Sequence, residues 1–220
     1  MVGLVRCESY DREAVGEAVG RVLELLGGIH RFVKPGERVL IKPNLLSPAH
    51  PDRAITTHPS VVEAVIEQVK LAGGLPIIAE SPGAGVRHDE ANMRRIYEVT
   101  GMAEVAERTG AELRLDPEPA YAHLPNGKLI KGVQVIPTLK EVDCVINLPK
   151  LKTHAFMKYT GAVKNLFGVI HGVAKTALHV RFSDEPSFAS MLLDIAGFVK
   201  PRLTIADGIV GLEGNGPGSG

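Results

Sequence analysis

"VDCVINLPKLKTHAFMKYTGAVKNLFGV", Val142 to Val169, is the stretch whose reading decides the fold of this chain. It starts as a continuous apolar run without alternation, the pattern of a strand buried on both faces. Pro149 has no N–H to give to a ladder and ends that strand. Lys150, Lys152 and His154 then alternate, so in an extended backbone all three side chains project to the same side. Thr160-Gly161 reads as a cap and turn before a helix, with Lys164 within a turn of it, a place where free amides favour phosphate or carboxylate. Positive charge is therefore concentrated just beyond the carboxyl end of a buried strand.

Working outward, the same unit recurs. Val2–Arg6 reads as a short strand, and Asp11 as the cap of a helix whose Val15, Val19, Val22, Leu23 and Leu26 share one face before Gly27-Gly28. "ERVLIKPN" (37–44) is an apolar strand, and Pro59 opens a helix that closes at Gly73-Gly74. "LPIIAES" (75–81) is the next strand, Asp89 to Gly110 one or two helices broken at Gly101, and Glu112–Leu115 another strand. "HLPNGKLIKGVQVIP" (123–137) carries Asn126-Gly127 between two candidate strands, a hairpin signal. Ser187–Lys200 is an amphipathic helix and "RLTIADG" (202–208) a final strand. Short unalternating strands separated by amphipathic helices predict an α/β fold, a mostly parallel sheet with helices on both faces and one antiparallel hairpin excursion. The last residues, "IADGIVGLEGNGPGSG" (205–220), finish in a glycine-rich loop with nothing after it to close on, so the chain is expected to be truncated at its C-terminal end.

With 220 residues, 45% of them hydrophobic and 23% charged, the chain falls in the range of soluble globular proteins. Lys and Arg together number 25, as do Asp and Glu, so no bulk charge recruits nucleic acid or an anionic membrane. No apolar run approaches the roughly 20 residues of a membrane helix. Cys7 and Cys144 lie far apart and form no zinc or iron–sulfur spacing, so a cytoplasmic location is expected.

In open parallel sheets ligands bind beyond the carboxyl ends of the strands. Here those ends carry Lys42 and Asn44, then Glu80 and Ser81, then Asn147, Lys150, Lys152 and His154, then Asp207 with Glu213 beyond. The lysines predict an anion site, phosphate-bearing in the leading version, and the competing reading is a solvated lysine-rich loop paired with Glu80, Asp207 and Glu213. There is no GxxxxGK[ST], GxGxxG after a strand, HExxH or GxSxG motif. His154, His171, His179 and His88 are the acid/base or metal-ligand candidates. His30, His50 and His123 read as exposed loop residues, and His58 as a cap or a binding group. Glu80, Asp207 and Glu213 are candidates to hold a hard cation or to orient the lysines.

The segments "PKLKTHAFMKYTGAVKNLFGVIHG" (149–172), "KPNLLSP" (42–48), "AESPGAG" (79–85) and "DGIVGLEGNGPGSG" (207–220) resemble, in this order along the chain, the domain of unknown function 362 family. The resemblance implies a single α/β domain over 1–220, incomplete at its C-terminal end. It also implies ferredoxin-like modules with iron–sulfur clusters in relatives, whose cysteine motifs this chain lacks. A cluster would then belong to a further part of the protein or to a ferredoxin-like partner. A fainter likeness, carried by His154, Tyr159, Thr160, Gly161 and Lys164, links the segment to the nickel-pincer-nucleotide lactate racemase group. It implies Lys164 as the attachment point of a nucleotide-derived cofactor, His179 as a nickel ligand and His88 as a second catalytic histidine. Ala162 departs from the glycine of that group.

These readings predict an enzyme of redox or racemase-like chemistry. Its catalytic candidates are His154, Lys164 and His88. Its cofactor-binding candidates are Lys42, Asn44, Lys150, Lys152, Thr160, Gly161 and Lys164, and its metal candidates His179, Glu80, Asp207 and Glu213. The alternative is a non-catalytic scaffold that binds an anionic metabolite and docks an iron–sulfur module.

Overall fold

A computed structural model describes residues 1–83 and 85–218. Asp11 caps the first helix, α1 (Arg12–Leu25), accepting from the amides of Glu13 and Ala14 as the sequence predicts. Strand β1 (Arg38–Pro43) leads into α2 (Pro59–Leu71), where Pro59 fills the first helical position and the His58 side chain caps by accepting from the Ser60 amide. Then come β2 (Leu75–Ile78), α3 (Glu90–Val99), α4 (Met102–Thr109), broken apart at left-handed Gly101, and β3 (Glu112–Leu113).

The expected hairpin forms from β4 (Ala120–His123) and β5 (Gly132–Val135), antiparallel with His123 opposite Gly132. Asn126-Gly127 lies within the longer loop between them. Strand β6 (Cys144–Leu148) follows and joins the main sheet, whose order is β3-β2-β1-β6 and then β9 (Leu203–Thr204), every pair parallel.

The strands read as unalternating because both faces are covered. Val39, Ile41, Ile78, Cys144 and Ile146 pack with α1 to α4 on one side. Leu40, Ala79 and Val145 pack on the other with the hairpin, the 166–170 segment and the helix α7 (Glu185–Val199).

Beyond Pro149 the chain leaves this sheet. Strand β7 (Lys150–His154) is the centre of a second sheet, pairing antiparallel with β8 (Lys158–Thr160) and parallel with β10 (Asp207–Leu212). Runs β6–β7 and β9–β10 thus pass side by side from one sheet into the other. After β8 come a four-residue helix, α5 (Ala162–Asn165), a 3-10 turn, Leu166–Val169, and α6 (Gly172–Arg181).

Two sequence expectations are corrected. Val2–Arg6 forms no strand: Val2 and Leu4 are more than nine-tenths exposed, and β9 at the nearby sheet edge pairs only with β6. Conversely, Asp207–Leu212 is a strand rather than the start of a glycine-rich loop, because β7 offers it a parallel partner that local propensity does not reveal.

Candidate functional site

In the main sheet the order reverses between β1 and β6, since the chain runs from β1 outward to β2 and β3 and then returns to the other side of β1. A crevice at such a reversal is where open α/β sheets bind ligands. Here Asn165 bridges its two sides. Asn44 donates to Asn165 Oδ1 at 2.9 Å, and Asn165 Nδ2 donates to Asn147 Oδ1 at 2.9 Å. Asn147 in turn donates to the Ala162 carbonyl at 2.9 Å. Three amides thereby tie the 161–165 segment to the ends of both central strands. Each shares the crevice with lysines.

Lys42, wholly buried at the end of β1, pairs with Glu80 beyond β2 at 2.5 Å. Burial pulls the Lys42 ammonium below its ordinary range while Glu80 opposes the shift. Gly168 lies directly on this pair: a Cβ there would be 1.9 Å from Glu80 Oε1. Lys150 pairs with Asp207 at 2.9 Å, its register partner across β7 and β10, and both are buried. Asp207 also accepts from Tyr10 Oη at 2.8 Å and from the His58 amide at 2.9 Å. Lys150 and Asp207 are therefore the buckle that joins the second sheet to α2 and the N-terminal segment.

Lys152 is 2% exposed and has no carboxylate partner among the described residues. It donates to Asn44 Oδ1 at 2.8 Å and to the Ile55 carbonyl at 2.6 Å. Burial, then the charge of Lys164, brings it down to about 7. Lys164, partly exposed, has its ammonium 5.0 Å from the Phe167 ring centre and 5.8 Å from that of Phe188. Burial and the charge of Lys42 bring it to about 8. Lys175, on α6, donates to the carbonyls of Ser81 and Pro82 and is held at about 7, burial being the main cause.

His154 ends β7. Its Nδ1 accepts from the amides of Phe156 and Met157, so the ring proton sits on Nε2. Burial, then Lys164 and His179, lower it to about 4. It is a neutral imidazole with one N–H to offer. His179 stacks on Phe188 at 4.6 Å and meets Phe167 edge-on at 5.3 Å.

The structure therefore brings Lys42, Asn44, Lys152, Lys164, His154 and Glu80 into one neighbourhood. His88 belongs to an adjoining cluster. Its Nε2 donates to the Leu115 carbonyl at 2.8 Å, leaving Nδ1 to accept from Ser81 Oγ at 3.0 Å, and its ring stacks on His171 at 4.1 Å. Thr160 is not a helix cap: Gly161 holds that position without a side-chain bond, and Thr160 Oγ1 donates to the carbonyls of Lys152 and Lys150 across β7 and β8. A four-residue helix has little dipole, which moves the anion argument from the helix end to the lysine side chains.

The four metal candidates are not assembled: Glu80 and Asp207 serve separate ion pairs, His179 lies among aromatic rings, and Glu213 is exposed beyond β10. Among the described residues no three His, Cys, Asp or Glu side chains come together where they could hold a metal ion. The Lys164 charge bears on His154, and among the described residues the side chains around the two do not supply a metal centre.

Asn165 and Lys175 were missed by the strand-end argument because both sit on helices that follow the second sheet. The one available signal was a lysine and an amide on either side of Gly168 and Gly172. A separate apolar cleft of about 850 Å³ lies between the N-terminal segment, α1 and residues 202–209, and reaches Asp207, the partner of Lys150.

The family described as a domain of unknown function, DUF362, matches residues 39–220. A thylakoid-associated protein, sll1697, of Synechocystis sp. is 38% identical over 219 residues, covering 98% of this chain. The chain spans 65% of that relative's length. No solved structure matches the chain. No helix among the described residues is long and apolar enough to cross a membrane.

Proposed function

The chain belongs to the DUF362 family, whose description assigns no reaction, and from that premise we propose that it is an enzyme binding a phosphate-bearing anion, cofactor or substrate, at the carboxyl ends of β1, β2 and β6. The observation that carries this reading is the charge count in the crevice. Lys152, Lys164 and Lys175 converge on the Lys42–Glu80 pair, and none of the three has a carboxylate partner among the described residues. Desolvating an ammonium without a counter-charge costs several kcal/mol, a cost that an anionic ligand offsets.

In this reading Lys152 and Lys175 neutralise the anion from opposite sides, and Lys164 reaches it from the more exposed side. His154 donates its Nε2–H to an oxygen that gains charge during the reaction, as a neutral electrophile rather than a base. The version with a nucleotide-derived cofactor puts its covalent attachment at Lys164. The free cysteines Cys7 and Cys144 accord with a cytoplasmic location, which is proposed with it.

The test is calorimetric titration of inorganic pyrophosphate into wild type and Lys164→Met, with intact-mass analysis of full-length protein purified without oxygen. Binding that weakens at least tenfold in the variant, or an adduct mapped to Lys164, is expected. An unadducted mass together with no affinity for pyrophosphate overturns the reading in favour of a scaffold that docks an iron–sulfur module.

A further inference from the structure

Two of the five lysines in this region are matched: Lys42 by Glu80 at 2.5 Å and Lys150 by Asp207 at 2.9 Å. Lys152 and Lys175 are 2% and 3% exposed and hold only neutral oxygens. Their anchors belong to different strands. Asn44 lies just beyond β1, and Ser81 and Pro82 lie just beyond β2. The two ammonium groups are thus held by loops that leave neighbouring strands, and each bears on the same Lys42–Glu80 pair.

We propose that the site is built for an anion of two or more charges, of the diphosphate class, and that such an anion binds together with protons that Lys152 and Lys175 take up from solvent. The proposal rests on the anion-site reading above and narrows it. Lys152 faces Lys164, Lys150 and Lys42, with Glu80 as the carboxylate in its surroundings. Lys175 faces Lys42 and Lys164, again with Glu80, and its charge in turn bears on His88 and His179. One carboxylate, already paired with Lys42, serves both.

Without ligand, burial and this crowding hold both amines at about 7, so near pH 8 most of each is neutral. A doubly charged anion that reaches both amines supplies the missing counter-charge and returns each toward its ordinary range. A proton must then come from the solvent for each amine that becomes charged. A singly charged anion satisfies one ammonium and leaves the other as it was.

The experiment is calorimetry with ethane-1,2-disulfonate, whose sulfonates stay ionised throughout, so that every exchanged proton belongs to the protein. Methanesulfonate is the single-charge counterpart, and inorganic pyrophosphate is run alongside. At pH 8 the measured heat is expected to vary with buffer ionisation enthalpy, corresponding to uptake of about one to two protons, and affinity to fall about tenfold or more between pH 7 and 9. Lys152→Met and Lys175→Met, confirmed folded by circular dichroism, are each expected to lose about half of the uptake or all binding. Disulfonate binding with no buffer dependence, binding no tighter than methanesulfonate, or no disulfonate binding while pyrophosphate binds overturns this inference alone. Failure of pyrophosphate as well overturns the anion site itself.

Discussion

Asn165 Nδ2 lies 2.9 Å from Asn147 Oδ1, a hydrogen bond that ties the segment after β8 to the end of the central strand β6. The same Asn165 accepts from Asn44 at 2.9 Å, so one buried amide bridges the two strand ends at which the sheet order reverses. This joint, with the Asn147 bond to the Ala162 carbonyl, holds the segment that carries Lys164, the immediate neighbour of Asn165 in sequence.

Asn165→Ala removes both bonds and leaves the Asn44 and Asn147 amides without this partner. Buried groups left unsatisfied cost about 1–3 kcal/mol each, so a loss of about 2–4 kcal/mol in unfolding free energy is expected. Denaturant titration measures it. A change below 1 kcal/mol would mean that water or a shifted backbone replaces the amide.

Gly168→Ala is expected to be worse than its size suggests. The added carbon would sit 1.9 Å from Glu80 Oε1 and 2.6 Å from Lys42 Nζ, prising apart a fully buried ion pair. Breaking such a pair costs about 3–5 kcal/mol. Gly197→Ala is the control: this glycine is exposed in α7, nothing lies within 4 Å of its added carbon, and helix propensity predicts a gain of about 0.5–1 kcal/mol. Opposite shifts in denaturation midpoint for the two substitutions are the expected outcome.

Lys152→Met should separate stability from binding. In the folded protein Lys152 is held at about 7, below its ordinary value, so the unfolded chain binds its proton more readily between pH 7 and about 10. Wild-type stability therefore rises with pH through that window on account of this group. The variant is expected to melt no lower than wild type at pH 7, to show a shallower rise toward pH 10, and to lose affinity for pyrophosphate. A melting temperature well below wild type at pH 7 would show the ammonium to be a structural support.

His88 predicts the acid limb. Burial holds it at about 4, so below its ordinary value of 6.5 the unfolded chain takes up a proton that the folded one refuses. Its contribution is present above pH 6.5 and is lost progressively as pH falls toward 4. His88→Gln gives up the Ser81 and Leu115 contacts and should be less stable at pH 7.5, yet lose stability less steeply between pH 6.5 and 4. Chemical denaturation at four or five pH values reads the two slopes, and parallel slopes would remove His88 from the account.

The sequence by itself determined the main sheet and its layers. Strand runs such as Val39–Ile41 and Cys144–Leu148 are apolar at every position because helices cover both faces, and that constraint is local enough to be read residue by residue. Asp11, Pro59 and Gly101 marked helix limits for equally local reasons, a cap, a preset φ and a left-handed turn. Lys42, Asn44, Lys152 and His154 could be singled out because each stands at or just beyond a strand end, whereas Lys164 was reached through a Thr160 cap that does not form. The tertiary structure alone decided which lysines have counter-charges, because Glu80 and Asp207 are remote in sequence from the lysines they neutralise. It also decided that Asp207–Leu212 is a strand, that Val2–Arg6 is not, and that Asn165 and Lys175 reach the ends of β6 and β2. Those outcomes depend on which segments become neighbours, and the free energy of an ion pair or a ladder bond exists only once both partners are placed.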